Sequence, residues 1–204
     1  MWVGKRFFDF FFALIALILF SPIFFIIAAW LKLEGHGPVF FRQKRIGLNG
    51  IPFFIHKFRT MYVVAEKRPL KITIGNDSQI TSSGFFLRKY KIDEFPQLID
   101  VFLGKMSLVG PRPEVPEYVE KYPPELKKKI FKMRPGITDW ASIKFKNENL
   151  ILGRSANPEK TYIEEILPVK LSYYENYFNT SSFSEDLRIL FHTFLEVFGK
   201  RTVL

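Results

Sequence analysis

The sequence predicts an α+β protein that is mainly helical, in which a membrane helix turns back on itself ahead of a small water-soluble domain. Three features carry that expectation: an uncharged apolar run near the start, basic residues on both of its flanks, and a later chain that mixes short strand patterns with apolar residues at helix spacing. The run covers Phe10 to Leu31, 22 positions without a charge, interrupted only by Ser21 and Pro22. It is long enough to cross a hydrocarbon core of ~30 Å as a straight helix. It is too long for a secretory signal, and no small-residue cleavage site follows it. Apolar on every side, it is also a poor core helix for so small a domain.

The flanks decide how the run meets the bilayer. Lys5 and Arg6 precede it; Lys32, Arg42, Lys44 and Arg45 follow it. Basic flanks stay on the cytoplasmic side, so both ends belong on one side. Pro22 lies almost midway, where it removes a helix hydrogen bond and forces a kink or a break. Each half, of about eleven residues, reaches only ~16 Å, roughly one leaflet. The Ser21 hydroxyl is placed to take up a carbonyl freed at the break. Residues 1–36 are therefore expected to form a re-entrant helix–break–helix, with a cytosolic domain over 37–204.

Composition narrows the partners. The 204 residues hold 30 Lys plus Arg against 20 Asp plus Glu, a net charge of +10, with 24 phenylalanines and no cysteine. That much apolar surface excludes a disordered chain. The missing cysteine excludes disulfides, thiolate metal sites and a cysteine nucleophile. Cationic and aromatic excess together fit an anionic membrane surface and phosphate-bearing ligands, or nucleic acid. No nucleic-acid motif is present, and the membrane hairpin argues against nucleic acid as principal partner. Arg42 to Lys71 carries eight basic residues against the single acid Glu66, as a surface facing anionic headgroups or a phosphate site would.

After a turn at Gly35–Pro38, the segments 39–41 and 51–58 read as short strands, and 72–86 as a loop. Phe95, Leu98, Ile99, Phe102 and Leu103 recur at helix spacing, with Asp93 as the expected N-cap and Gly104 as the stop. Two carboxylates, Asp93 and Glu94, then stand at a helix start. Structurally they are a cap and a favourable first-turn acid. Functionally, a capped aspartate stays ionised, as a carboxylate nucleophile must, while the adjacent glutamate can hold a divalent cation. Pro111-Arg112-Pro113 presents one arginine on a fixed backbone, and Arg88, Lys57 and Arg59 supply further cations. Near the C-terminus, Ser182-Phe183-Ser184-Glu185 reads as a capping box for a helix running to about Phe198. Its stripe of Leu187, Leu190, Phe191, Phe194, Leu195 and Phe198 packs on the core or lies in the membrane interface. His36, His56 and His192 are too scattered to read as a metal cluster.

Five motifs occur in order: Gly37-Pro38-Val39-Phe40-Phe41-Arg42-Gln43-Lys44-Arg45-Ile46-Gly47-Leu48-Asn49-Gly50, Lys57-Phe58-Arg59-Thr60-Met61, Asp93-Glu94-Phe95-Pro96-Gln97-Leu98, Met106-Ser107-Leu108-Val109-Gly110-Pro111-Arg112-Pro113 and Arg134-Pro135-Gly136-Ile137-Thr138. Together they resemble the bacterial sugar transferase family, the monotopic polyprenyl-phosphate phosphoglycosyl transferases, over nearly the whole chain. The family's re-entrant helix breaks at a Ser-Pro pair, which Ser21-Pro22 matches. The resemblance implies transfer of a sugar-1-phosphate from a nucleotide diphosphate sugar, usually a UDP-sugar, to polyprenyl phosphate. It further implies a covalent intermediate on Asp93, release of UMP, and Mg²⁺ held by Glu94. Lys57, Arg59, Arg88 and Arg112 would position phosphates. The implied setting is the cytosolic face of a bacterial inner membrane, in the first membrane step of polysaccharide, lipopolysaccharide or other glycoconjugate synthesis. The amphipathic terminal helix and aromatic surface also suit a homodimer.

The chain departs from the family's usual pattern at Phe95, Lys91 and Lys105, and in the segment Asp139-Trp140-Ala141-Ser142-Ile143-Lys144-Phe145. That segment leaves the sugar unassigned. Two other classes compete with the resemblance: an inactive membrane-anchored binding or scaffold protein of the same fold, and a glycosyltransferase that moves the sugar alone.

Overall fold

The computed structural model describes residues 2–62 and 79–198. Part of the basic run (67, 68 and 71) and the first half of the expected loop (72–78) lie outside the described residues. The chain opens on α1 (Lys5–Glu34), followed by a hairpin of β1 (Phe40–Ile46) and β2 (Pro52–Phe58). Next come α2 (Ser82–Lys89), a single 3-10 turn at Ile92–Glu94, α3 (Gln97–Phe102) and β3 (Ser107–Val109). The remainder is helical apart from one strand: α4 (Pro116–Val119), α5 (Pro124–Ile130), β4 (Gly136–Thr138), α6 (Trp140–Lys144), α7 (Glu148–Gly153), α8 (Pro158–Thr161), α9 (Leu167–Thr180) and α10 (Phe183–Phe198). A π turn at Tyr162–Ile166 joins α8 to α9.

Helix α1 runs through Pro22 without interruption, where the sequence led us to expect a break. Proline deletes one ladder bond, the one to the Ile18 carbonyl four residues back. The Ser21 hydroxyl donates to that same carbonyl at 2.8 Å, so the lost bond is replaced. One face of α1 is packed: Ala13 against Ile55, Leu98, Val101 and Met106, and Ile27 and Leu31 against Phe58 and Leu87. Burying a side chain such as Ile27 or Leu31 stabilises by about 1.5–3 kcal/mol each. The opposite face, including Phe11, Ile18, Leu19, Phe25 and Ile26, is exposed. This is the one described helix long and apolar enough to cross a membrane.

Both ends of α1 are tied to the rest of the chain. At its start, Lys5 Nζ donates to Asp186 Oδ2 at 2.5 Å, and Trp2 Nε1 and the Tyr177 hydroxyl donate to the same carboxylate at 2.9 and 2.6 Å. Arg6 donates to the carbonyls of Val101 and Phe102, the last residues of α3. At its end, the Arg59 guanidinium donates to the carbonyls of Leu31, Gly35 and His36 at 2.5, 3.0 and 2.8 Å. Leu31 is one of the acceptors a helix C-terminus leaves open, and Gly35 and His36 follow directly after the helix. Glu34 accepts from the Ser83 backbone and hydroxyl at the start of α2.

Strands β1 and β2 pair antiparallel, with Phe40 opposite Phe58 and Ile46 opposite Pro52, so the first strand is longer than the pattern at 39–41 suggested. The parallel pair β3–β4 was not anticipated; Ser107 lies opposite Gly136 and Val109 opposite Thr138. Its backbones approach closely just beyond. A Cβ on Gly136 would stand 2.1 Å from the Gly110 nitrogen, so only glycine fits, and this contact seats the Pro111-Arg112-Pro113 segment. The expected loop at 82–86 is the first half of α2, started by Thr81, whose side chain accepts from the Gly84 N–H. Two serines and a glycine in eight residues hide that helix from a propensity reading.

In α10, Ser182 Oγ accepts from the Glu185 N–H at 3.2 Å, one half of the capping box. The Glu185 side chain turns instead to the Trp140 indole at 2.7 Å. Ile189 and Asp186 are the buried positions, while Leu187, Phe191, Phe194 and Leu195 point outward. Of the stripe, Leu190 packs on the core, against Val109, Met133, Tyr177 and Ile189, and these four outward residues do not. Phe183 meets Phe8 and Trp2 edge-on, so the outer face of α10 begins where the exposed face of α1 begins.

Candidate functional site

Asp93 and Glu94 sit on the 3-10 turn between α2 and α3, not at the cap of a longer helix. Pro96 occupies the position before α3 and provides no side-chain cap, so Asp93 is released from the capping role expected of it. Lys91, just ahead, holds φ at 58°, a left-handed conformation uncommon for a residue with a side chain. That turn directs the two neighbouring carboxylates differently. Both line a cavity of about 2150 Å³ shared by β1, β2, α3, α4, α6, α9 and α10.

Glu94 is fully engaged by cations. Lys57 Nζ, from β2, donates to its Oε1 at 2.8 Å. Arg112, from the proline-fixed segment after β3, donates to both oxygens, at 3.0 Å for Oε2. Burial alone would raise this carboxyl, but the charges of Arg112 and Lys57 and the Arg112 hydrogen bonds hold it well below the usual glutamate value. The Glu94 charge in turn raises Arg112. Lys57 is lowered by burial, against the pull of Glu94. The three side chains form one preformed charge-assisted unit.

Asp93 is the opposite case. It is 8% exposed, and its Oδ1 has no hydrogen-bond partner. Burial, and after it the adjacent Glu94 charge, raise its pKa above the ordinary aspartate value; Lys57, Lys91 and Arg88 pull the other way. The lowered pKa expected of a capping aspartate is thus reversed, because no backbone N–H group solvates it. Burial therefore works against the ionised form of Asp93.

The predicted cations divide. Lys57 and Arg112 reach the Glu94 carboxylate, and Arg88 lines the same cavity with its Nε donating to the Thr60 hydroxyl at 2.9 Å. Arg59 lines the cavity too, but its guanidinium is committed to the end of α1. Trp140 lines the cavity, tilted against His192 with ring centroids 5.1 Å apart and with Arg188 over its face. Asp139 caps α6, accepting from the Ser142 N–H and hydroxyl, which accounts for the unusual Asp139–Ser142 segment as a helix start.

A divalent cation that keeps several waters and bridges a diphosphate needs one or two carboxylate oxygens from the protein. The remaining lone pair of Glu94 Oε2 is of that kind. The described residues hold no group of three or more His, Asp or Glu able to cage a metal by themselves. The residues therefore fit a metal whose other ligands come from a substrate.

Sequence reasoning missed Glu114. It lies two positions after Arg112 and lines the same cavity, where it accepts from Arg45 at 2.9 Å and from the Tyr162 hydroxyl. The signal was present: two residues apart on a proline-fixed extended segment puts side chains on one face. His56, on β2, was also unassigned; its N–H and Nδ1 both meet buried Asp100 at 2.8 Å.

The chain matches a family model described as bacterial sugar transferase over residues 1–200. It is 35% identical, over 97% of its length, to the UDP-N-acetylgalactosamine-undecaprenyl-phosphate N-acetylgalactosaminephosphotransferase of Aeromonas hydrophila, covering 45% of that protein. It is 41% identical over 68% of its length to the UDP-glucose:undecaprenyl-phosphate glucose-1-phosphate transferase of Escherichia coli, covering 30% of that protein. A protein of the same name from Caulobacter vibrioides is 34% identical over 93% of this chain, which covers 67% of that protein. The chain thus spans less than half the length of the first two of these relatives.

Proposed function

Because the chain belongs to the bacterial sugar transferase family, we propose that it moves a sugar-1-phosphate from a UDP-sugar to polyprenyl (undecaprenyl) phosphate, through a covalent intermediate on Asp93. The observation that carries this reading is the contrast within the dyad: Asp93 buried with an unpartnered oxygen, Glu94 tied to Lys57 and Arg112.

The Asp93 carboxylate attacks the sugar-bearing phosphorus of the donor. The bond from that phosphorus to the bridging oxygen breaks, and UMP leaves with the electron pair. An oxygen of polyprenyl phosphate then attacks the same phosphorus and displaces Asp93, giving polyprenyl diphosphate sugar and the free carboxylate. Arg112 and Lys57, held ready by Glu94, face the charge that develops on phosphate oxygens, where prealigned donors accelerate reaction most. Arg88 lines the same pocket. Mg²⁺, with Glu94 as its protein ligand, would neutralise charge on the leaving group.

The purified protein with polyprenyl phosphate, Mg²⁺ and a panel of UDP-sugars is expected to release UMP, and chelation with EDTA to stop the release until Mg²⁺ is returned. UDP as the released nucleotide would mean transfer of the sugar alone; no nucleotide with any sugar would mean a scaffold.

The reaction also has a pH signature. Only ionised Asp93 attacks, and its raised pKa places the acid limb of adduct formation above the ordinary aspartate value of about 3.9. Activity is lost as pH falls through that raised value. Glu94→Gln removes the adjacent negative charge and frees two cations, so the limb is expected to move to lower pH. A limb at the ordinary value in the parent, unmoved in the variant, would remove Asp93 from this electrostatic environment.

Membrane association follows from α1, and its form is part of the proposal. Both ends of α1 bind the same domain, through Lys5 and Arg6 at one end and Glu34 and the Arg59 clamp at the other. A straight span would carry one end across the bilayer, so we infer a monotopic, re-entrant seating on the cytosolic face of a bacterial inner membrane. The acceptor phosphate lies at headgroup level, and this seating holds the dyad there. The natural sequence lacks cysteine, so single variants Val3→Cys and Phe40→Cys are unique labels. Both are expected to react with an impermeant reagent from the same side; labelling from opposite sides would overturn the re-entrant seating.

A further inference from the structure

Beyond the dyad, the cavity has a second polar wall that the phosphate chemistry does not use. Arg45, from β1, donates to Glu114 Oε1 at 2.9 Å, to the Pro113 carbonyl at 3.1 Å and to Gln43 at 2.8 Å, while its Nε is buried with no partner. The Tyr162 hydroxyl donates to the other oxygen of Glu114. Lys170 Nζ lies 4.8 Å over the Tyr162 ring and pairs with Glu148 Oε2 at 2.5 Å. All five side chains line the cavity and come from four separate parts of the chain. We propose that the Arg45–Glu114–Tyr162–Lys170–Glu148 network is the wall that receives the hydroxyl groups of the donor's sugar and sets which sugar is accepted. The proposal rests on the reading that this cavity binds a UDP-sugar.

Three arguments support it. The first is distance. Arg112 and Glu114 both face the cavity, and two residues of extended chain span at most ~7 Å. A phosphate held by Arg112 therefore leaves the group attached to it within reach of Glu114. The second is charge. Around the dyad, Lys57, Arg88, Lys91 and Arg112 outnumber Asp93 and Glu94, as a diphosphate requires. In the second wall, two cations face two carboxylates, Glu114 and Glu148 against Arg45 and Lys170, which suits a neutral polyol. The third is donor–acceptor chemistry. Sugar hydroxyls donate to carboxylates in pairs, and a partly exposed carboxylate such as Glu148, 24% exposed, retains acceptor capacity beside its lysine.

Ribose is also a neutral diol, so the test must separate the two ends of the donor. The full-length protein, Glu148→Gln and Tyr162→Phe would be assayed for kcat/KM with UDP-glucose, UDP-galactose and their N-acetylhexosamine counterparts, and for inhibition by UMP, which lacks the sugar. In at least one variant the ratio of kcat/KM values between sugars is expected to change about tenfold or more, as expected when a polar contact to one substrate is lost. The UMP inhibition constant should stay within about twofold. Unchanged ratios in both variants would overturn the proposal. So would UMP inhibition weakening in step with kcat/KM, which would assign the wall to ribose. A parent protein that turns over no UDP-sugar would remove the functional reading itself. Tyr162→Phe keeps the buried ring and Glu148 is partly exposed, so at least one variant is expected to fold, with its thermal midpoint as the control.

Discussion

Asp93→Asn is expected to abolish turnover, by about four orders of magnitude or more, because removing the attacking group of a covalent mechanism leaves only binding and positioning. Asparagine keeps the shape of the side chain and its place on the turn, so a loss this large cannot be charged to packing. The sharper measurement is the adduct. Incubated with donor alone, the parent protein should gain the mass of one phosphosugar, and Asp93→Asn should gain none. Glu94→Gln should still form the adduct, more slowly, since its role is to hold Lys57 and Arg112 in place. An Asp93→Asn protein with a percent or more of parental activity would overturn the nucleophile assignment. An adduct retained on another residue would move it.

The largest expected effect on stability lies far from the dyad. Asp186 is completely buried and takes hydrogen bonds from Trp2, Lys5 and Tyr177. Lys5 is itself 2% exposed, with Asp9 as a second, more distant anion at 4.0 Å. Asp186→Ala strands a buried ammonium and two donors, and breaking one side of such a pair costs about 3–5 kcal/mol. Domains of this kind have about 5–15 kcal/mol in total. Denaturant unfolding in detergent should therefore show a large drop in midpoint, or no folded protein. Replacing both partners with apolar groups, Lys5→Met with Asp186→Leu, should recover much of the loss, since it removes the charge along with its partner. A drop below about 1 kcal/mol in the single variant would mean that the pair is solvated.

The two predictions draw on different kinds of legibility. The apolar run, its basic flanks, the Ser21–Pro22 pair and the dyad were readable because each is local: a span of residues states its own period, charge or turn chemistry. Even the Ser21 hydrogen bond to Ile18 follows from which carbonyl a proline leaves unbonded. Asp93's environment was not readable, because its missing partner is a property of what β2 and the Pro111-Arg112-Pro113 segment bring near it. Arg59 shows the same limit. Two residues after Lys57 and just past the end of β2, its guanidinium closes a helix end 24 to 28 residues back. Likewise β3 and β4, three residues each, carry no periodicity of their own; their pairing depends on two glycines meeting across 26 positions of chain.

The tie between α1 and α10 has a consequence for how the molecule is made. Lys5 and Asp186 stand 181 positions apart, and at synthesis rates of about 5–20 residues per second that gap lasts roughly ten to forty seconds. The surface that receives Ala13 is complete once α3 and Met106 have emerged, well before Asp186 exists. The middle of α1 thus has its packing partners available before its first lysine has Asp186. The Lys5–Asp186 contact can form only once the chain has been made as far as α10, so the start of the membrane helix is fixed by nearly the last element to be synthesised.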